Sequence, residues 1–183
     1  MRTRLIAGAC LVALALSGCG GGDAAAPPTP TGGATSATPE ASGSESSGSP
    51  AAVPEKLAFS GRTLDGKDFD GASLAGKPVV LWFWAPWCPR CRAAAPDVEA
   101  TAKAHGDVQV IGVGGLGKAA EMRTFAKDTG ISFVNLADES GTVWKKFGVT
   151  EQDTFVLIDA DGKVVHQGGL SGDELDAKVG ELA

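Results

Sequence analysis

Two cysteines three positions apart, Cys88 and Cys91, are the residues of this chain best placed to do chemistry. A pair with a two-residue spacer can close into a disulfide and open again, which is the behaviour of a redox couple. Only a thiolate attacks a disulfide, so such a pair works where its surroundings stabilise the anion of one sulphur. The spacer is Pro89-Arg90, and Trp87 precedes the pair. Arg90 is a permanent cation that either favours a neighbouring thiolate or stays a solvated surface charge. Trp87 either lines the rim of a site or packs in the core. Structural zinc needs four protein ligands, or three and a water, and His105 and His166 have no ligand-like spacing to the cysteines. No metal centre and no cofactor are therefore expected. Two thiolates are enough for Cu(I), which leaves a soft-cation metallochaperone as a rival of another class.

The elements around the pair decide whether its chemistry can be used. Residues 78–84 form a near-continuous apolar run, predicting a strand buried on both faces of a parallel sheet, and residues 89–104 predict a helix. Cys88 then stands at a helix N-terminus, where unpaired amide N–H groups and the helix dipole favour a thiolate. Cys91 falls about one turn later on the same face. A second buried strand is expected at 107–113 and a second helix at 118–128, with Gly130 in the stop position. Short strands are expected at 57–60, 67–69 and 132–136, and a short helix at 141–147. Strands 154–159 and 163–167 should form a hairpin turned at Asp161-Gly162, and Ser171 with Glu174 is a capping-box signature for a last helix. The fold class is α/β, a mixed central sheet flanked by helices, because a terminal hairpin must add an antiparallel strand.

Ahead of this domain, Arg2 and Arg4 precede an apolar stretch from 5 to 16 that is shorter than the roughly 20 residues of a membrane span. Residues 1–18 read as a signal peptide. Leu16-Ser17-Gly18-Cys19 resembles the lipobox of bacterial lipoproteins, in which the cysteine becomes the lipid-modified first residue. Residues 20–52 contain only Gly, Ala, Pro, Ser, Thr and three acids, and nothing there can offset the entropy of folding. Residues 19–52 are thus expected to be a lipidated cysteine and a disordered tether with a reach of roughly 30 Å, and 53–183 a single domain. Cys10 leaves with the signal and Cys19 carries lipid, so Cys88 and Cys91 remain as the free thiols. The location expected is extracytoplasmic, on the outer face of the cell membrane. Without Arg2 and Arg4 the chain has 14 basic and 22 acidic residues, a formal charge of −8, which argues against nucleic acid as a partner.

The run Phe83-Trp84-Ala85-Pro86-Trp87-Cys88-Pro89-Arg90-Cys91, with Pro96 five residues on and Phe147-Gly148-Val149 further along, resembles the thioredoxin-like proteins. With the tether and lipobox it is most similar to membrane-anchored lipoproteins of the TlpA, ResA and DsbE type, the actinobacterial DsbE and DsbF above all. The resemblance spans residues from about 53 to the C-terminus and implies a thioredoxin-like fold and protein-disulfide exchange. It makes Cys88 the exposed sulphur that attacks or is attacked and Cys91 the buried resolving one. The partners implied are exported protein thiols or disulfides and a membrane redox partner that resets the pair. An oxidase of exported thiols is the first reading, and a reductant of apocytochrome c or other envelope thiols the alternative.

Two positions depart from that family. Many of its members carry a buried acid six residues before the first cysteine, where this chain has Trp82, which favours an oxidase over a reductase. They also carry a cis-proline facing the disulfide, and alignment puts Asp153 there, with Gln152 in the position that pairs with substrate backbone. A cis bond before a non-proline residue costs about 2.5 to 4 kcal/mol, so a trans peptide and an altered docking loop are expected. A carboxylate facing the sulphurs would make the pair less oxidising, and a proline at 153 should restore the family's docking edge. Gly112, Gly114 and Gly117 match a dinucleotide fingerprint, but no second nucleotide-binding half follows. Asp159 and Asp161 lack the further oxygen ligands of a calcium loop, and Ala85 stands where a peroxiredoxin-like site has Thr or Ser.

Overall fold

A computed structural model describes residues 53–182. The chain passes through a 3-10 turn at Glu55–Leu57, β1 (Ser60–Arg62), β2 (Asp68–Asp70), a second 3-10 turn at Gly71–Leu74 and β3 (Val79–Trp84). There follow α1 (Pro89–Ala104), β4 (Gln109–Gly114), α2 (Ala119–Thr129), β5 (Val134–Ala137) and α3 (Thr142–Phe147). The hairpin of β6 (Thr154–Ile158) and β7 (Val164–Gly168) and the helix α4 (Gly172–Gly180) complete the domain. The central sheet has the order β5-β4-β3-β6-β7, with β3 parallel to β4 and antiparallel to β6. This is the thioredoxin-like arrangement expected. The signal, the lipobox with Cys19 and the tether lie outside the described residues.

Every residue of β3 is buried, because the strand is central and both faces are covered. The alternation of side chains sorts the core into two layers. Val80, Trp82 and Trp84 pack with Cys88, Cys91, Ala95 and Val98 of the α1 segment and with residues of α2 and α4. Val79, Leu81 and Phe83 pack on the other side with Leu57, Phe59, Trp144 and Phe147. The cysteines therefore sit at the C-terminal end of the most protected strand, on the α1 side of the sheet.

Two expected strands shift. The expected strand 57–60 is displaced because Leu57 closes the first 3-10 turn, its N–H donating to the Pro54 carbonyl at 2.8 Å, and Leu57 and Phe59 both reach the core around the bend that follows. Extended pairing begins only at Ser60, in a separate two-stranded antiparallel sheet of β1 and β2. The strand expected at 132–136 starts later because Ser132 is held by α1: its N–H donates to Glu99 Oε2 at 2.7 Å and its hydroxyl to Glu99 Oε1. The hairpin turn falls at Asp161-Gly162 as expected, with Gly162 at φ +82° and the Asp159 carboxylate taking the N–H groups of Asp161 and Lys163.

The glycines of the false nucleotide fingerprint have a packing cause. A Cβ at Gly112 would strike Asn135 and the Trp84 indole, one at Gly114 would press on the Trp84 indole and the Met122 sulphur, and one at Gly117 would strike Pro86. They are small because indole rings and a proline lie on them. Asp138, the acid beyond the loop, accepts the N–H groups of Thr142 and Trp144 at 2.8 and 2.9 Å and so caps α3.

Candidate active site

The strand β3 ends at Trp84, and a short turn delivers Cys88 to the N-cap of α1 with extended backbone, φ −80° and ψ 115°. Pro89 follows at the first helical position, where its missing N–H costs nothing and its fixed φ suits the helix. Cys88 and Cys91 are joined as a disulfide, with Cα atoms 5.3 Å apart. The Cys88 sulphur also accepts the Cys91 backbone N–H at 3.0 Å, so the sulphur itself is the side-chain cap of the helix. An N-cap acceptor gains most when it is an anion, since it faces unpaired amide donors and the positive end of the helix dipole.

The two sulphurs are less unequal than expected. Cys88 is 2% exposed and Cys91 0%, so the expectation of an exposed Cys88 is not met in the closed disulfide. Both residues belong to the apolar cluster beneath α1, and the loop carrying Gln152 is tied across the spacer. That tie is made by Arg90, whose guanidinium donates to the Gln152 carbonyl at 3.2 Å. Trp87 stands at the rim, 57% exposed, and its indole N–H donates to the Leu116 carbonyl at 2.8 Å. Leu116 is held at φ +54° with its side chain 53% exposed, an unusual state for a large apolar residue. Nothing in the reading of the sequence singled out Leu116. Its one signal in the sequence is that it is a lone apolar residue in the Gly114 to Gly117 loop.

The two departures from the family pattern meet in space. Trp82, fully buried on β3, donates its indole N–H to Asp153 Oδ1 at 3.1 Å and stacks on Phe155. Asp153 adopts φ +62°, in the left-handed region, and its own N–H donates to the Phe83 carbonyl at 2.8 Å. This corrects the expectation that proline at 153 would restore a docking edge. Proline is confined near φ −65° and has no N–H, so this loop cannot hold it. The link between Trp82 and Asp153 is invisible in the sequence because the residues lie 71 positions apart. Among the described residues no three His, Cys, Asp or Glu side chains gather to hold a metal ion. A soft cation would have only the two sulphurs, once reduced.

A terminal helix sulphur, a second sulphur one turn on and a thiolate-favouring cap form an arrangement that exchanges disulfides. Comparison with known proteins bears on the same segment. The Redoxin family profile matches residues 44–178. The chain is 40% identical over 135 residues to the soluble secreted antigen MPT53 of Mycobacterium tuberculosis, covering 72% of this chain and 78% of that one. It is 30% identical over 115 residues to the thiol-disulfide oxidoreductase ResA of Halalkalibacterium halodurans, covering 59% and 64%. Among solved structures, M. tuberculosis dsbF in its mixed oxidized and reduced forms aligns with a TM-score of 0.69 at 46% identity, over 72% of this chain and 99% of that one. A secreted M. tuberculosis disulfide oxidoreductase homologous to E. coli DsbE aligns with a TM-score of 0.67 at 40% identity, over 70% and 98%. The chain belongs to the Redoxin family, as a thiol-disulfide oxidoreductase of thioredoxin-like fold.

Proposed function

We propose that the protein works outside the cytoplasm, held to the membrane through lipid on Cys19, and oxidises thiols of exported proteins with its Cys88–Cys91 disulfide. A client thiolate attacks the Cys88 sulphur, forming a client–Cys88 disulfide and expelling Cys91 as a thiolate that takes up a proton. A second client thiolate then attacks the client's own sulphur in that bond and releases Cys88 as a thiolate. The client gains a disulfide, the pair gains two electrons, and a membrane redox partner removes them.

One observation carries the direction of flow: the Cys88 sulphur is the N-cap of α1. Stabilising that sulphur as an anion stabilises the reduced protein, and a disulfide whose reduced form is stabilised is an oxidant. Trp87 and Leu116 offer exposed apolar surface beside the pair for an unfolded client. The Gln152 backbone is the edge for client docking, and a client taking its carbonyl displaces Arg90. The secreted relatives and the lipobox of 16–19 support the location.

The Asp153 carboxylate favours a second reading, a reductant of apocytochrome c or another envelope thiol, because a negative neighbour disfavours the thiolates of the reduced pair. The reduction potential separates the two. A value near about −120 to −180 mV fits the oxidant and one near about −270 mV the reductant.

A further inference from the structure

We propose that Asp153 is the group that takes the proton from Cys91 when that sulphur re-forms the intramolecular disulfide. The proposal rests on the roles given under the proposed function, Cys88 as the sulphur that bonds to the client and Cys91 as the resolving one. Cys91 is fully buried in an apolar cluster, and burial of that kind disfavours a thiolate. A buried thiol that must attack needs a proton acceptor close by. Among the described residues, Asp153 has the one carboxylate hydrogen-bonded to a member of that cluster, Trp82, whose side chain lies on the α1 side of the sheet with both cysteines. Its neighbour Gln152 is bonded to Arg90, inside the cysteine spacer, so the loop is fastened against the pair from both ends.

The other charged groups around this end of α1 are engaged elsewhere or exposed. Arg90 is on the Gln152 carbonyl, and Arg92 lies over the Phe125 ring at 5.1 Å. Glu121 accepts the Lys118 N–H at the start of α2, and Glu151 is exposed. Glu99 is eight residues from Cys91, about 12 Å along the helix, and is bound to Ser132 and Lys103. The backbone adds a second sign. A non-glycine residue in the left-handed region is held there by its surroundings, and such outliers cluster at working sites.

In the step, the Asp153 carboxylate accepts the Cys91 S–H proton and the Cys91 thiolate attacks the Cys88 sulphur of a mixed disulfide. The Cys88–Cys91 bond forms, the bond from Cys88 to the client breaks, and the client leaves as a thiolate. Two electrons pass from the pair to the client disulfide. Oxidation of a client runs the same step backwards, with protonated Asp153 returning the proton to the departing Cys91.

Reduced protein mixed with dithiobis-nitrobenzoate tests this in one stopped-flow trace. The first nitrothiolate appears when Cys88 attacks, the second when Cys91 resolves the adduct. Asn keeps an Oδ1 acceptor for Trp82 and tolerates a left-handed backbone, so Asp153→Asn keeps the loop. In Asp153→Asn the second release slows at least tenfold at pH 7 and loses its acid limb, while the first is unchanged or faster. Asp153→Glu keeps the acid limb. If Asp153 were only a negative neighbour, its removal would ease ionisation of Cys91 and the second release would accelerate; that result, or an unchanged second release, overturns the proposal. A wild-type protein releasing one nitrothiolate only would sink the assignment of Cys91, and this proposal with it.

Discussion

Asp153→Pro puts the family's usual residue into a loop that has no room for its chemistry. Proline removes the N–H that donates to the Phe83 carbonyl at 2.8 Å and the carboxylate that receives the Trp82 indole at 3.1 Å. Trp82 is fully buried, so its N–H finds no water in exchange. Each orphaned buried group costs about 1 to 3 kcal/mol, a sum of about 2 to 6 kcal/mol. The backbone must also leave φ +62° for a value near −65°. Against a total stability of about 5 to 15 kcal/mol this is a large loss. With a slope of about 2 kcal/mol per molar, the urea midpoint of the oxidised protein should fall by about 1 to 3 M. Asp153→Gly separates the causes, since it keeps the N–H and the left-handed backbone and gives up only the carboxylate. Its midpoint should fall less than half as far. A midpoint for Asp153→Pro within about 0.3 M of wild type, on that same slope, would refute the reasoning and show that this loop refolds freely around a proline.

Cys91→Ser should accumulate mixed disulfides with client proteins while Cys88→Ser collects none, read as thiol-sensitive adducts on non-reducing gels; equal yields would reverse or dissolve the two roles. Cys19→Ala should leave the membrane fraction for the soluble one with disulfide-exchange activity intact, and loss of activity in that soluble form would count against a separate tether. Burial raises the pKa of Glu99, but its hydrogen bonds from Ser132 and its pairing with Lys103 at 3.0 Å outweigh this and lower it below the usual 4.5. A lowered carboxylate stabilises the fold above its unfolded pKa, and the gain is lost as pH falls through the folded value. Wild type should therefore exceed Glu99→Gln in urea midpoint at pH 7, with the gap closing in acid below 4.5; a gap independent of pH would mean that the charge of Glu99 is not what matters.

Much of the fold was legible because its signals are local. The apolar run of β3, Gly130 at the end of α2, the Asp161-Gly162 turn and the Ser171–Glu174 box each report on their own few residues, and each stands where expected. The redox pair was legible for the same reason: spacing and a helix start are sequence properties. The early strand at 57–60 failed because alternation of Leu57 and Phe59 also suits the end of a tight turn and the bend after it, which bury both. The start of β5 depended on Glu99, 33 positions from Ser132. Asp153 and Trp82 looked like two separate losses from the family pattern, and only the fold shows that each is the other's partner.

The exposed indole of Trp87 has an optical consequence. The chain contains four tryptophans and no tyrosine. Trp82, Trp84 and Trp144 are between 0% and 4% exposed, so their emission belongs to a dry interior, while Trp87 meets water and adjoins Cys88. Its fluorescence is thus a native reporter, separable at the red edge of the spectrum and set beside the bond that opens and closes. Client binding, loss of the indole bond to Leu116 and disulfide reduction should each register there without a label.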